Sequence, residues 1–421
     1  MREIFFEMSR IYFVFFLVSI YLVLDIYVFV AVKSLSESLS PAWRKTLWIS
    51  YWVLSIGSLV GVLLYRQIDP KIFQNLRLYI TTFFFVLFIG KLFTTVFLLL
   101  DDIRRGVTWL VNIFPFIEED HSTSRSDFMQ KSALIAGAIP IATMSFGVIS
   151  GAHDYRVRKR VVYSPNLPKA FDGIRVAQIS DIHTGSFFNK TAVEGGVDML
   201  NAQKPDIAFF TGDLVNNRSE EAKDYLDVFK KVNAPLGVYS VMGNHDYGDY
   251  TEWSSEAAKQ KDIKNIHEMH AYMGYDLLLN ENRTLKVDGE EIAILGCENW
   301  GAGRFSKYGD MSKTIIGAEE KPYKILMSHD PSHWDAQIRQ EYKDIDLMLA
   351  GHTHGMQFGI EIGDFRWSPV QYRYKQWADL YQAGNQSLYV NRGYGFIGYP
   401  GRIGILPEIT ILELKRSSIG V

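Results

Sequence analysis

The chain has 421 residues, 48% hydrophobic and 22% charged, with a formal net charge of −3. Those fractions lie near globular averages and exclude a wholly disordered protein. A single cysteine, Cys297, excludes an internal disulfide framework and a cysteine-based zinc ribbon, and the slightly acidic balance gives no reason to expect a nucleic acid as partner.

The average hides two halves. Residues 1–150 hold 13 Lys/Arg and 11 Asp/Glu, whereas the remaining 271 hold 31 and 36. The expected division is an all-α transmembrane region over 1–151 and a water-soluble domain over 152–421. Four apolar stretches, residues 11–32, 46–65, 78–100 and 133–151, each run about 18–23 residues, enough to cross about 30 Å of hydrocarbon as helices. The fourth is weaker, rich in Ala, Gly and Ser with Pro140 inside, and a buried soluble helix is its alternative. Asp25 and Lys91 lie within the first and third stretches. Ionised groups there usually face a partner, so an ion pair is expected in preference to a transport role.

Orientation stays open. Four spans put the N-terminus and the large domain on one side, with Arg2, Arg10, Arg66, Lys71, Arg77, Arg156, Arg158, Lys159 and Arg160. That count points to the cytoplasm. Against it, Ser124-Arg125-Ser126-Asp127-Phe128-Met129-Gln130-Lys131 resembles a twin-arginine export signal lacking its second arginine.

From Tyr163 onward, short apolar runs each end in a polar cluster. Residues 173–179 read as a strand before Ser180-Asp181-Ile182-His183. Residues 206–210 precede Thr211-Gly212-Asp213, and 237–242 precede Gly243-Asn244-His245-Asp246. Residues 323–327 lead to Ser328-His329-Asp330, and 346–350 to Gly351-His352-Thr353-His354-Gly355. Helical periodicity covers 190–202 and 220–232. Alternating strands and helices indicate a layered α/β fold, in which ligands collect beyond the carboxyl ends of strands.

The residues at those ends are oxygen and imidazole donors: Asp181, His183, Asp213, Asn244, His329, His352 and His354. Seven donors are too many for one tetrahedral ion. They suit two neighbouring divalent ions of the Mn, Zn, Fe or Co kind with one carboxylate shared. Such a pair can activate water for in-line attack on phosphorus and neutralise the non-bridging oxygens.

In order and spacing, Asp181/His183, Gly212-Asp213, Gly243-Asn244-His245-Asp246, His329 and Gly351-His352-Thr353-His354 resemble the calcineurin-like metallophosphoesterases. The resemblance extends over about 250 residues. Asn391-Arg392-Gly393-Tyr394-Gly395 and Pro407-Glu408-Ile409-Thr410 are similar to the ending of a membrane-attached bacterial branch that includes UDP-2,3-diacylglucosamine pyrophosphatase-like enzymes. The resemblance implies a two-sheet α/β sandwich. Asp181, His183, Asp213 and His354 would hold one metal. Asp213, Asn244, His329 and His352 would hold the other. His245 would act as general acid or charge stabiliser, with Asp246 orienting it. It further implies an integral protein of the bacterial inner membrane that hydrolyses a phosphodiester or pyrophosphate, such as a UDP-diacylglucosamine-like lipid A precursor. An exported envelope phosphodiesterase, or a sensor or transporter with a regulatory domain, are the alternatives.

Other residues carry less. Arg392 is read either as a bidentate phosphate fork or as a tie between loop and sheet. His267 and His270 read as solvated surface, and Cys297 as a buried small side chain. His121, His153 and His333 lack a motif, and Ser180 and Ser328 lack an obvious base. The aromatic and basic segments 365–381 and 394–399 suit a membrane interface or a lipid-binding rim, with a packed loop as the alternative.

Overall fold

A computed structural model describes residues 2–68, 74–113, 127–363 and 365–417. Lys71, His121 and Ser124-Arg125-Ser126 lie outside the described residues. The chain divides into two compact units, Met1–Phe146 and Gly147–Val421, five residues before the expected 151/152 division.

The first unit is helical: α1 (Arg2–Leu35), α2 (Pro41–Leu64), α3 (Gln74–Asn112) and α4 (Asp127–Ile149), the last running on into the second unit. All four are long and apolar enough to cross a membrane. Pro41 opens α2 at a position where its missing N–H costs nothing. Pro140 sits inside α4 without ending it, as membrane helices tolerate. The unit's polarity is inverted relative to a soluble protein. Phe15, Val53, Phe93 and Phe146 are exposed, while Asp25, Ser55, Lys91 and Thr94 are buried. Lys91 Nζ lies 2.6 Å from Asp25 Oδ1. Ser55 Oγ donates to Asp25 Oδ2 at 2.5 Å, and Tyr51 Oη donates to Oδ1 at 3.0 Å. Lys91 also donates to Tyr21 Oη at 2.7 Å. The expected pair therefore forms.

Among its described residues, the second unit has two six-stranded sheets. The first contains β1 (Arg156–Ser164), β2 (Arg175–Ile179), β3 (Ile207–Phe210), β4 (Val238–Ser240) and β5 (Asp276–Leu277). The second contains β6 (Glu281–Val287), β7 (Glu290–Gly296), β8 (Lys324–Met327) and β9 (Leu347–Ala350). A separate hairpin joins β10 (Ile360–Ile362) to β11 (Phe365–Trp367). Next come β12 (Asp379–Ala383) and β13 (Gln386–Val390) of the second sheet, and β14 (Glu408–Arg416) of the first. The strand orders are β1-β14-β2-β3-β4-β5 and β12-β13-β9-β8-β7-β6.

Alternation along each strand builds the layers. Val176 and Phe209 face inward, in one cluster with Ile292, Ile325 and Leu349 of the other sheet. Ala177 and Phe210 face outward, in the cluster that contains Val193 and Val197 of α5 (Lys190–Asn201). A third cluster covers the far side of the second sheet with Trp334 and Ile338. The result is the expected α/β sandwich.

Two expectations about local structure fail. Residues 220–232 do not form one helix: a single turn at Ser219–Ala222 precedes α6 (Leu226–Phe229). Glu221 is drawn instead to the backbone N–H groups of Asn216 and Asn217, at 2.6 and 3.3 Å. His270, on α7 (Glu256–Met273), is not solvated but fully buried, with Nδ1 2.8 Å from Ser240 Oγ.

Candidate metal centre

The parallel runs β2-β3-β4 and β8-β9 point their carboxyl ends to one rim, where the loops after all five strands meet. The sheets are stitched there. Gln178 Nε2 donates to the Ala350 carbonyl at 2.9 Å, and the His352 N–H donates to Asp181 Oδ1 and Oδ2 at 2.9 and 3.0 Å.

Among the described residues, two clusters of metal-ligating type result: Asp181, His183 and His354, and Asp213, His329 and His352. Asp213 Oδ2 joins them, 3.5 Å from His183 Nε2 and 3.1 Å from His329 Nε2. His354 Nε2 lies 3.3 Å from Asp181 Oδ1. Asn244 turns its Oδ1 toward His352 Nδ1 at 2.8 Å, while its Nδ2 donates to Tyr250 Oη at 2.9 Å. All seven expected donors therefore meet at one rim.

The backbone is bent to do this. Asp181, His183, Asp213, His352 and His354 all have positive φ, between 50° and 72°. Such conformations are uncommon outside glycine and cluster at functional sites. A Cβ at Gly243 would run into Asp213 Oδ1, so the smallest residue is needed for that approach.

The donor chemistry fits divalent cations. His183 Nε2 is buried without a hydrogen-bond partner, an orphan that a cation would satisfy. Burial pushes His183 down to about 3 and His352 to about 4, and holds His354 well below the usual imidazole range. All three are therefore neutral and offer a lone pair. Burial alone would raise Asp213, but His329 and His245 hold it well below the usual carboxylate range. Burial would lower His329, yet Asp213 and Asp181 raise it to about 10, so a proton rests where the shared carboxylate attracts positive charge. Burial raises Asp181 to about 6.

The residues behind the donors orient them. His183 Nδ1 faces the Val215 carbonyl at 3.2 Å, and His329 Nδ1 faces the Thr211 carbonyl at 2.8 Å. His352 Nε2 meets Tyr374 Oη at 2.8 Å. Arg402 Nη2 lies 3.3 Å from His354 Nδ1 and donates to the Arg392 and Gly395 carbonyls. Tyr374, Tyr250 and Arg402 carry no motif. Only the segment containing Tyr374 stood out in the sequence, and for its composition alone.

His245 is half-buried at the same rim. Its Nδ1–H donates to the Asn216 carbonyl at 2.7 Å, leaving Nε2 available. Asp246 does not orient that ring as expected. Its carboxylate accepts from the backbone N–H groups of Asp213, Leu214, Val215 and Gly243, at 2.8–3.2 Å. A carboxylate saturated by four backbone donors shapes the loop that carries Asp213. Burial and the neighbouring Asp213 raise it to about 7.

Arg392 is buried, with Nη1 2.6 Å from Glu408 Oε2 and Nη2 2.7 Å from Glu361 Oε1. Its fork is occupied by carboxylates, the geometry of a loop tie and not of a phosphate contact. Ser328 has a base after all, His333 Nδ1 at 2.8 Å, but both are fully buried. Cys297 is buried.

Residues 174–356 match the family described as calcineurin-like phosphoesterase. Residues 9–152 match the transmembrane domain described as that of a probable calcineurin-like phosphoesterase. The chain is 28% identical over 302 residues to the uncharacterized metallophosphoesterase YkuE of Bacillus subtilis, covering 70% of this chain and 99% of that protein. It is 28% identical over 295 residues to a transmembrane protein with metallophosphoesterase domain of Danio rerio, covering 68% of this chain and 63% of that one. It is also 28% identical over 252 residues to the uncharacterized metallophosphoesterase Cj0846 of Campylobacter jejuni, covering 60% and 61%. The chain thus spans less than two thirds of the last two relatives. Two family matches, four apolar helices and two Asp/His clusters agree: the chain joins an N-terminal four-helix transmembrane domain to a calcineurin-like metallophosphoesterase domain.

Proposed function

We propose that this protein hydrolyses a phosphodiester or pyrophosphate bond in a lipid-linked substrate at the membrane that holds it. The observation that carries the reading is Asp213, whose one carboxylate faces both His183 and His329 and so joins two ligand clusters. Two divalent cations bound there, of the Mn, Zn, Fe or Co kind, would supply an activated water and neutralise charge on the phosphoryl oxygens.

The chain's own residues do the rest. Asp181, His183, Asp213 and His354 form one half of the cradle, and Asp213, Asn244, His329 and His352 the other. The Asn216 carbonyl holds the Nδ1–H of His245, so Nε2 is free to carry a proton to the leaving oxygen. Asp246 fixes the loop that presents Asp213. Arg392 holds the rim through the carboxylates of Glu361 and Glu408.

The lipid part rests on the membrane anchor and on aromatic and apolar residues exposed after the last ligand, among them Phe358, Phe365 and Tyr372. The UDP-diacylglucosamine-like lipid, and with it the bacterial inner membrane, rests on the sequence resemblance and is one member of the class. The test uses full-length protein loaded with Mn in vesicles. It should cleave bis-p-nitrophenyl phosphate, and should cleave a lipid pyrophosphate in the same vesicles faster than its water-soluble headgroup analogue. Absence of diester cleavage at full metal loading removes the hydrolase reading. Equal rates on lipid and headgroup remove only the lipid part.

A further inference from the structure

The hairpin β10–β11 has its polarity reversed. Side chains alternate across a two-stranded ribbon, so paired residues share a face. The pairs are Ile360 with Trp367, Glu361 with Arg366, and Ile362 with Phe365. The charged pair faces the domain: Glu361 bonds Arg158 and Arg392, and Arg366 Nη1 lies 2.9 Å from Asp379. The apolar face is turned to the surroundings, with Ile362 73% and Phe365 61% exposed, and with Phe358 and Ile360 also exposed. A water-soluble hairpin would present these faces the other way round.

The hairpin's attachment indicates what that face meets. The Gly359 N–H donates to the Ile403 carbonyl at 2.9 Å, and Phe358 bridges to Ile403. The next residue back, Arg402, donates its N–H to the Gly147 carbonyl at 3.2 Å. Gly147 lies in the last turns of α4 and within the second unit. The fourth candidate span runs to His153. Two hydrogen-bonded links therefore separate the hairpin from the end of a helix that crosses the membrane. An apolar face held that close to a span's end lies within reach of the headgroup and acyl boundary.

We propose that the apolar face of β10–β11 inserts into the lipid surface beside the end of α4. Phe358 follows the ligand His354 by four residues, so insertion would fix the ligand loop's height above the bilayer. This inference rests on the hairpin and the span, and stands whether or not the metal centre hydrolyses anything.

The test is fluorescence of full-length Ile362→Cys carrying an environment-sensitive nitrobenzoxadiazole label, in vesicles of phosphatidylcholine and phosphatidylglycerol. Cys297 is buried, with its thiol raised to about 12 by burial, and stays unlabelled. Ile316→Cys is the control, since Ile316 is 67% exposed elsewhere in the same unit. The expected result is a blue-shifted probe at 362, quenched at least threefold more by doxyl-labelled lipid than the probe at 316. Phe365→Cys should behave like 362. Equal quenching of both sites by aqueous iodide, with no doxyl effect at 362, overturns the proposal. Energy transfer between copies labelled at 362, lost on dilution with lipid, also overturns it, because the face would then meet a second copy of the chain.

Discussion

Asp213 Oδ2 sits 3.1 Å from His329 Nε2, and the two residues come from different sheets, 116 positions apart in the chain. The carboxylate that one sheet supplies is thus shared with an imidazole that the other supplies. Asp213→Asn keeps the shape but removes the charge that would balance the two proposed cations. The expected outcome is loss of bound metal by elemental analysis and at least a hundredfold loss of diesterase activity, with unchanged circular dichroism. Normal metal content with normal turnover would end the bridging role.

His245→Ala should retain metal, since the proposed ligand set leaves that ring out. Turnover on esters with poor leaving groups should fall about 10²–10⁴-fold. The loss should shrink for p-nitrophenyl esters, whose leaving group needs no proton. An equal loss on both would reassign His245 to charge stabilisation or positioning.

Asp25 and Lys91 form a buried pair with Tyr51, Ser55 and Tyr21 as further partners. Breaking it from one side leaves a charge uncompensated, at a cost of about 3–5 kcal/mol. Asp25→Leu should therefore lower the unfolding midpoint in micelles sharply. Asp25→Leu with Lys91→Met should recover most of the loss. A double variant no better than the single one would show that the pair does more than neutralise itself.

His270 gives a pH dependence with a definite sign. Burial lowers it from 6.5 to about 3. The unfolded chain binds this proton below 6.5 and the folded chain does not. Stability is therefore full above pH 6.5 and falls as pH drops from 6.5 toward 3. One such group contributes at most about 1.4 kcal/mol per pH unit. His270→Gln should flatten the fall in thermal midpoint between pH 6.5 and 4.5 relative to the parent. Parallel curves would mean that other groups set the slope.

Truncation tests where the second unit begins. Ala152 lies in its core, and the His153 ring packs edge-on against Phe188 and Phe396. A chain starting at Gly147 should be more stable than one starting at Asp154, by about 2–4 °C for every kcal/mol lost. Equal midpoints would place the boundary after His153.

Much of this protein was legible in its sequence. The spans follow from length and apolarity, because hydrocarbon demands both of a helix. The seven donors follow from strand ends that terminate in Asp, Asn or His, because the carboxyl ends of parallel strands share a rim. The Asp25–Lys91 pair follows from the cost of lone charges in hydrocarbon. The roles of individual side chains did not follow. Asp246 faces four backbone N–H groups and not a ring, Arg392 is held by Glu361 and Glu408, and His270 is buried against Ser240. Arg158 and Arg160 are likewise paired with Glu361 and Asp379, which weakens them in any count of free positive charge. Tyr374 and Arg402 reach His352 and His354 only through folding. Periodicity and strand-end chemistry are local and can be read along the chain. Which donor meets which acceptor depends on how two sheets stack and on residues brought together across gaps such as the 219 positions between Arg160 and Asp379, and that only the tertiary structure decides.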